Sequence, residues 1–229
     1  MSRNMERERI VRAMSRTRMV FYDGDDTLWK GMIAEGIGKG FMIEALRRGD
    51  LGVVGAGILG SLEVKGMLRN GKDADALRRF YDILRENGLG DEVDIRRLAG
   101  TYIRTHELGE VSGLRREVDL PSILITKGGS TGADVAARYF KMERYIANED
   151  MFDAKMRING VNLKVRNGRD KLMLAIEIAG SLDEIKRSTV IGNDDADILL
   201  MSEAGFSVAS PYATKEVKDL AKACVELRR

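Results

Sequence analysis

Ten residues, Val20 to Trp29, constrain this chain more than any others. They read VFYDGDDTLW, an apolar run that breaks into three carboxylates, Asp23, Asp25 and Asp26, followed by Thr27. Acids this close repel one another and cost stability unless a cation or a reaction employs them. A strand ending before Asp23 would deliver Asp23 and Asp25 to its C-terminal edge, where open α/β sheets hold their ligands. The plainer alternative is an Asp-rich turn capping a helix at Leu28, since Asp is a common N-cap. A calcium loop counted from Asp23 needs Gly at its sixth position and Glu at its twelfth; Leu28 and Ala34 stand there, which excludes it. A receiver domain also opens on paired acids. It requires a further Asp at the end of a middle strand, and none stands between an apolar run and Thr126.

At 229 residues, 44% of them apolar, the chain suffices for one large domain or a core with a smaller companion. A net charge of +2 points to neither nucleic acid nor an anionic membrane as partner. The single cysteine, Cys224, excludes an intrachain disulfide, and the single histidine, His106, excludes a His-rich metal site. No apolar run approaches the roughly 20 residues of a membrane span, and the basic N-terminus lacks the apolar stretch of a secretory signal. These features predict a cytoplasmic protein. Residues 1–18 read as an extension, either a short surface helix or a frayed tail.

After Trp29 the pattern turns helical for about eighty residues. Met32, Ile33, Phe41, Met42, Ala45 and Leu46 outline one amphipathic segment, loosened by Gly36, Gly38 and Gly40. Leu77, Phe80, Tyr81 and Leu84 mark a helix begun at Asp73 or Asp75, and Ile95, Leu98, Ala99 and Tyr102 another. Within this block LGVVGAGILG carries Gly55, Gly57 and Gly60 in G-x-G-x-x-G spacing. A dinucleotide turn needs a strand before it and a second apolar strand after its helix, and past Leu68 the chain supplies acids but no second strand, so the stretch reads as a cap helix or loop in which small residues permit close packing.

From Leu120 strands and helices alternate. Ser122 to Ile125 reads as a strand ending at Thr126, Lys127 to Ser130 as a turn, and Ala133 to Phe140 as a helix. A strand at Tyr145 follows, then a hairpin over 156–165 turning at Asn159-Gly160. A helix opens near Gly168 or Asp170 with Lys171 in its first turn, and Thr189 to Ile191 forms a strand ending in the acid-rich turn Gly192 to Asp197. Phe206 to Ala209 and Cys224 complete the strands. This alternation implies an α/β fold with a Rossmann-like, mostly parallel sheet flanked by helices. Residues 1–29 and 112–229 would form the core and 30–111 an inserted helical cap.

In a parallel sheet the polar strand ends share one edge, so Asp23, Asp25, Thr126 and the 193–197 turn converge, with Lys171 reaching in. Such a set suits phosphoryl transfer. One carboxylate can attack phosphorus, and another can protonate the leaving oxygen and later take a proton from water. A hydroxyl, the N–H groups of the Gly-rich turn and an ammonium can hold the phosphoryl oxygens. Clustered acids suit a magnesium ion.

The motif D-x-D-x-T at Asp23, Asp25 and Thr27, with the downstream set, resembles the haloacid dehalogenase superfamily over residues 19 to 227. The second half, YIANEDMF through IGNDDADILLMSEAGFSVA and ATKEVKD, looks most like its phosphoserine phosphatase branch. The resemblance implies a phosphatase of small phosphorylated metabolites that uses Mg2+ and an aspartyl-phosphate. Asp23 would be the nucleophile and Asp25 the acid/base, with Lys171 neutralising charge. Thr126, Lys127 and Gly128 would bind phosphate. Asp23, the Asp25 carbonyl, and Asn193 or Asp194 would hold the metal, with Thr27 and Asp197 in support.

Two departures stand out. Asn193 occupies the position of the usual metal-binding Asp. Met32 stands where a phosphoserine phosphatase has a substrate-binding Glu, with Glu35 one turn on. The alternatives are a weak or inactive member that binds a phosphorylated ligand or a protein partner, and a phosphotransferase.

Overall fold

Short apolar strands separated by amphipathic helices bury both kinds of surface in a parallel sheet layered by helices. The computed structural model, which describes residues 3–227, has this arrangement. After α1 (Arg3–Met14), β1 (Val20–Tyr22) leads into α2 (Ile33–Arg47), α3 (Leu51–Arg69), α4 (Asp73–Glu86) and α5 (Glu92–His106). The helix α6 (Gly109–Glu117), within which the boundary expected at 111 falls, returns the chain to the sheet. Then follow β2 (Ser122–Gly129), α7 (Ser130–Tyr139), β3 (Arg144–Phe152), β4 (Ile158–Asn162), α8 (Gly168–Ala179) and α9 (Leu182–Ile185). The chain closes with β5 (Thr189–Gly192), α10 (Asp195–Glu203), β6 (Phe206–Ala209), α11 (Lys215–Leu220) and β7 (Ala223–Cys224).

The strands lie in the order β4-β3-β2-β1-β5-β6-β7, parallel except for the β3/β4 pair. Central β1 is buried on both faces, with Val20 and Tyr22 in one hydrophobic cluster and Phe21 in the other. Tyr22 is level with Leu124 of β2 and Ile191 of β5. Continuing that register brings Asp23 beside Gly192, and Gly24 between Thr126 and Asn193. β1, flanked by strands from different parts of the chain, is thus the switch point at which such sheets bind ligands.

The helices α2 to α5 pack on one another and return to the sheet through α5 on α7 and α4 on β4. The glycines expected to loosen α2 instead let α5 approach it. A Cβ at Gly36 would collide with the Tyr102 ring, and one at Gly40 with Leu98. LGVVGAGILG lies inside α3, where Gly57 faces Met42 and Gly60 faces Ile83.

Several expectations need correction. The N-terminal extension is neither a tail nor a purely surface helix, because α1 buries Ile10 and Met14. Lys127 to Gly129 continue β2 with an irregular register rather than forming a turn, and α7 starts directly at Ser130. The hairpin joins β3 to β4 through residues 153–157, where the Asp153 carboxylate accepts from the N–H groups of Lys155 and Arg157. Asn159-Gly160 lies within β4. Contrary to the absence of long apolar runs, α3 is long and apolar enough to cross a membrane by length and composition. It packs on α2 and α4 and leaves Leu51, Ile58, Leu59 and Leu62 exposed. Its glycines interrupt the run of large apolar side chains, which hides its length from a reading by eye.

Candidate active site

The edge of β1 carries the acids at two depths. Asp23 is buried, and its Oδ1 accepts a hydrogen bond from Lys171 Nζ at 2.6 Å. The same ammonium donates to Asp197 Oδ1 at 2.5 Å. Lys171 reaches Asp23 because α8 begins behind the sheet edge, with Asn167 capping its N-terminus. Burial opposes the lysine's charge, but the carboxylates of Asp197 and Asp23 outweigh it and raise its pKa. Burial likewise pushes the Asp23 carboxyl well up, with Lys171 opposing and Asp197 and Asp194 reinforcing the shift. A buried ammonium between two carboxylates is tolerated only where every partner is in place.

Asp197 does more than hold Lys171. Its Oδ2 accepts from the backbone N–H groups of Asn193 and Asp194, at 2.9 and 3.3 Å. It forms the far half of a capping box in which Asp194 is the N-cap of α10. One carboxylate therefore fixes both the lysine and the loop after β5.

Asp25 is held by the segment that follows it, accepting from Trp29 Nε1 at 2.7 Å and from the Ile33 N–H at 3.2 Å. Burial pushes its carboxyl up to about 6, against the pull of those two hydrogen bonds. Asp26, the third acid of the cluster, is a turn residue with φ of 54°, its carboxylate accepting from the Gly31 N–H. Asp26 thus lies in a turn, but no helix starts at Leu28 for it to cap, since α2 begins at Ile33 after Met32, and the crowding is relieved by giving each acid separate partners.

Asn193 lies between these groups. In the orientation that satisfies its neighbours, its amide nitrogen donates to Asp23 Oδ2 at 2.8 Å, and to the Asp25 carbonyl and Thr27 Oγ1 at 3.1 Å each. Thr27 is fully buried beneath it. Among the described residues no group of three Asp, Glu, His or Cys side chains gathers to hold a metal ion. The available donors are one carboxylate, one main-chain carbonyl and one amide. All three can present oxygen, which is the chemistry a hard divalent cation takes. Asp194 is engaged elsewhere, with Oδ2 bound to Lys127 at 2.7 Å and Oδ1 accepting from the Ala196 N–H.

Asp23, Asp25, Thr126, Lys127, Gly128, Asn193 and Asp194 line one cavity of about 300 Å³ between the sheet edge and the helices α2 to α4. Lys171, Asp197 and Thr27 support it from behind. The Gly128 N–H is already donated to Thr126 Oγ1, which removes one of the expected phosphate donors. Lys127 spans the cavity mouth, donating to Asp194 and, at 2.6 Å, to Asp73 of α4. Burial lowers its pKa, and the two acids outweigh that and raise it.

Three contributors are absent from the sequence reading. Trp29, the last residue of the opening stretch, is buried and orients Asp25. Asp150 of β3 accepts from Tyr81 of α4 at 2.5 Å and from the Thr131 N–H of α7, tying helices to sheet. Asp73, read as a helix start, is also a partner of Lys127. Only the short acidic stretch after the Tyr145 strand hinted at Asp150.

No protein-family model matches the chain, and no curated protein matches it. Solved structures do. A phosphoserine phosphatase held as an analogue of its phospho-aspartyl intermediate aligns over 93% of this chain and 95% of its own, with TM-score 0.65 and 15% identity. A HAD family hydrolase from Salmonella enterica serovar Typhi aligns over 90% and 66%, with TM-score 0.63 and 12% identity. A protein of unknown function from Bordetella pertussis Tohama I aligns over 93% and 100%, with TM-score 0.70 and 14% identity. The chain thus has the α/β fold of the HAD hydrolases, in the form seen in phosphoserine phosphatases.

Proposed function

We propose that the protein is a phosphatase of the haloacid dehalogenase type, hydrolysing a small phosphate monoester through an aspartyl-phosphate on Asp23. The observation that carries this reading is the Lys171 ammonium shared by Asp23 and Asp197, groups from three distant parts of the chain, behind a cavity at the sheet's switch point. Asp23 attacks phosphorus while Asp25, whose pKa of about 6 keeps both its forms accessible near neutrality, gives its proton to the leaving alkoxide. Asp25 then takes a proton from the water that attacks the phospho-enzyme, releasing phosphate and restoring Asp23. Lys127 and Thr126 face the transferring group from β2. Asp23, the Asp25 carbonyl and Asn193, rather than Asp194, would hold Mg2+, which would neutralise phosphate charge. The helices α2 to α5 act as a cap that excludes water.

The test is phosphate release from a panel of monoesters with magnesium. Turnover abolished in Asp23→Asn, together with a magnesium-dependent rise in Tm of the wild type, supports the reading. Turnover that survives Asp23→Asn overturns it. Binding of phosphate esters without turnover in any divalent metal favours a phosphate-binding protein, a reading that Asn193 in place of a charged ligand keeps in play.

A further inference from the structure

The cavity has two chemically different ends. Its floor is the acidic sheet edge. Its roof, from α2, α3 and α4, presents Met32, Ile37, Val64, Leu68, Leu77 and Phe80. The ionisable groups among the described roof residues are Asp73 and Tyr81, and both are already committed to the core, to Lys127 and Asp150. A narrower cleft of about 80 Å³ between the same three helices shares the wall of Met32, Val64, Leu68 and Phe80. Along that cleft Glu35 is shared by Lys39 at 3.0 Å and by Lys65 at 3.3 Å, which leaves a net charge of +1 on two well-exposed lysines that do not line the larger cavity. Glu35 therefore does not replace the charged group missing at Met32.

We infer that the substrate's organic part is uncharged and largely apolar, a compact chain or ring lying against α2, α3 and α4. This inference rests on the phosphatase reading and adds a substrate class to it. An amino-acid phosphate would bring a carboxylate under this roof, where Lys127, the cation lining the cavity among the described residues, is already engaged by aspartates or by the phosphate, and an unpaired buried charge is strongly disfavoured. An alkyl or aryl group instead gains from every carbon removed from water. At about 300 Å³ the cavity is at the small end for ligand sites, so the gain ends at a limited length.

The experiment measures kcat/KM and, by calorimetry with Asp23→Asn, binding for ethyl to octyl phosphate, phenyl phosphate, glycerol phosphate and phosphoserine. The expected result is a rise of about fourfold per methylene until the roof is filled. Phosphoserine should lie at least about a hundredfold below butyl phosphate. A flat series with measurable turnover, or phosphoserine or glycerol phosphate in the lead, overturns this inference and leaves the phosphatase reading standing. Binding graded by chain length without turnover overturns the phosphatase reading and keeps the apolar site. Absence of both overturns both. Leu68→Arg places a cation in the half-buried roof and should move the phosphoserine-to-butyl ratio up by about tenfold. An unchanged ratio in a folded variant removes the organic group from this wall, and the wild-type series decides the question if the variant does not fold.

Discussion

Lys171 is the residue on which the buried charges balance. Truncating it leaves Asp23 and Asp197 facing each other in the interior, a situation that costs about 3–5 kcal/mol when one member of a buried pair is removed. Lys171→Ala should therefore lower stability by that order in urea titration, beyond any loss of turnover. Trp29 makes a different prediction. Its Nε1–H favours the ionised form of Asp25, so Trp29→Phe should raise the Asp25 pKa above about 6. Whichever half-reaction limits turnover, the limb of the kcat–pH profile carried by Asp25 then moves to higher pH. A profile that stays in place would detach Asp25 from the proton transfers. The two residues also differ in legibility. Lys171 could be read from its place at a helix start below an acid-rich turn, whereas Trp29 looks like any core aromatic. Its role depends on the chain folding back within six residues, which no spacing rule announces.

At the level of elements, α8 has to lie close enough to α10 for Lys171 to reach both acids, and Gly168 makes that possible. A Cβ there would come within 2.9 Å of the Ala196 carbonyl oxygen, a backbone atom that cannot step aside. Replacing glycine by alanine in a helix is worth roughly 0.5–1 kcal/mol, and overpacking costs roughly 1–3 kcal/mol, so the clash wins. Gly168→Ala should lower Tm and, by displacing α8, reduce turnover more than the lost stability explains. The strands at Val20, Ser122, Thr189 and Phe206 were legible because buried parallel strands are short apolar runs with polar stops. The extension of β2 through Lys127-Gly128-Gly129 was not, since its polar and glycine residues carry turn chemistry and only pairing with Asn148 of β3 extends the strand. The hairpin misled for the converse reason. Asn159-Gly160 has strong turn preferences, but the Asp153 carboxylate supplies the turn five residues earlier.

Across the molecule, the side-chain bonds that join α4 of the proposed cap to the sheet include Tyr81 to Asp150 and Asp73 to Lys127, and their surroundings rank these two. Tyr81 to Asp150 is buried, and a hydrogen bond to a charged group is worth about 1.5–3 kcal/mol there. Asp73 to Lys127 is partly solvated, which limits it to about 0–1 kcal/mol. Tyr81→Phe should therefore destabilise the protein measurably. Asp73→Asn should leave Tm nearly unchanged while speeding hydrogen exchange in the first turn of α4. Equal effects would show that burial does not set the order. Lys127 has a further property. Held by an aspartate on each side, it can exchange the one from α4 for an arriving phosphate and never stand uncompensated. The latch and the grip on cargo are then alternative engagements of a single ammonium, so that loading the cavity loosens the door above it.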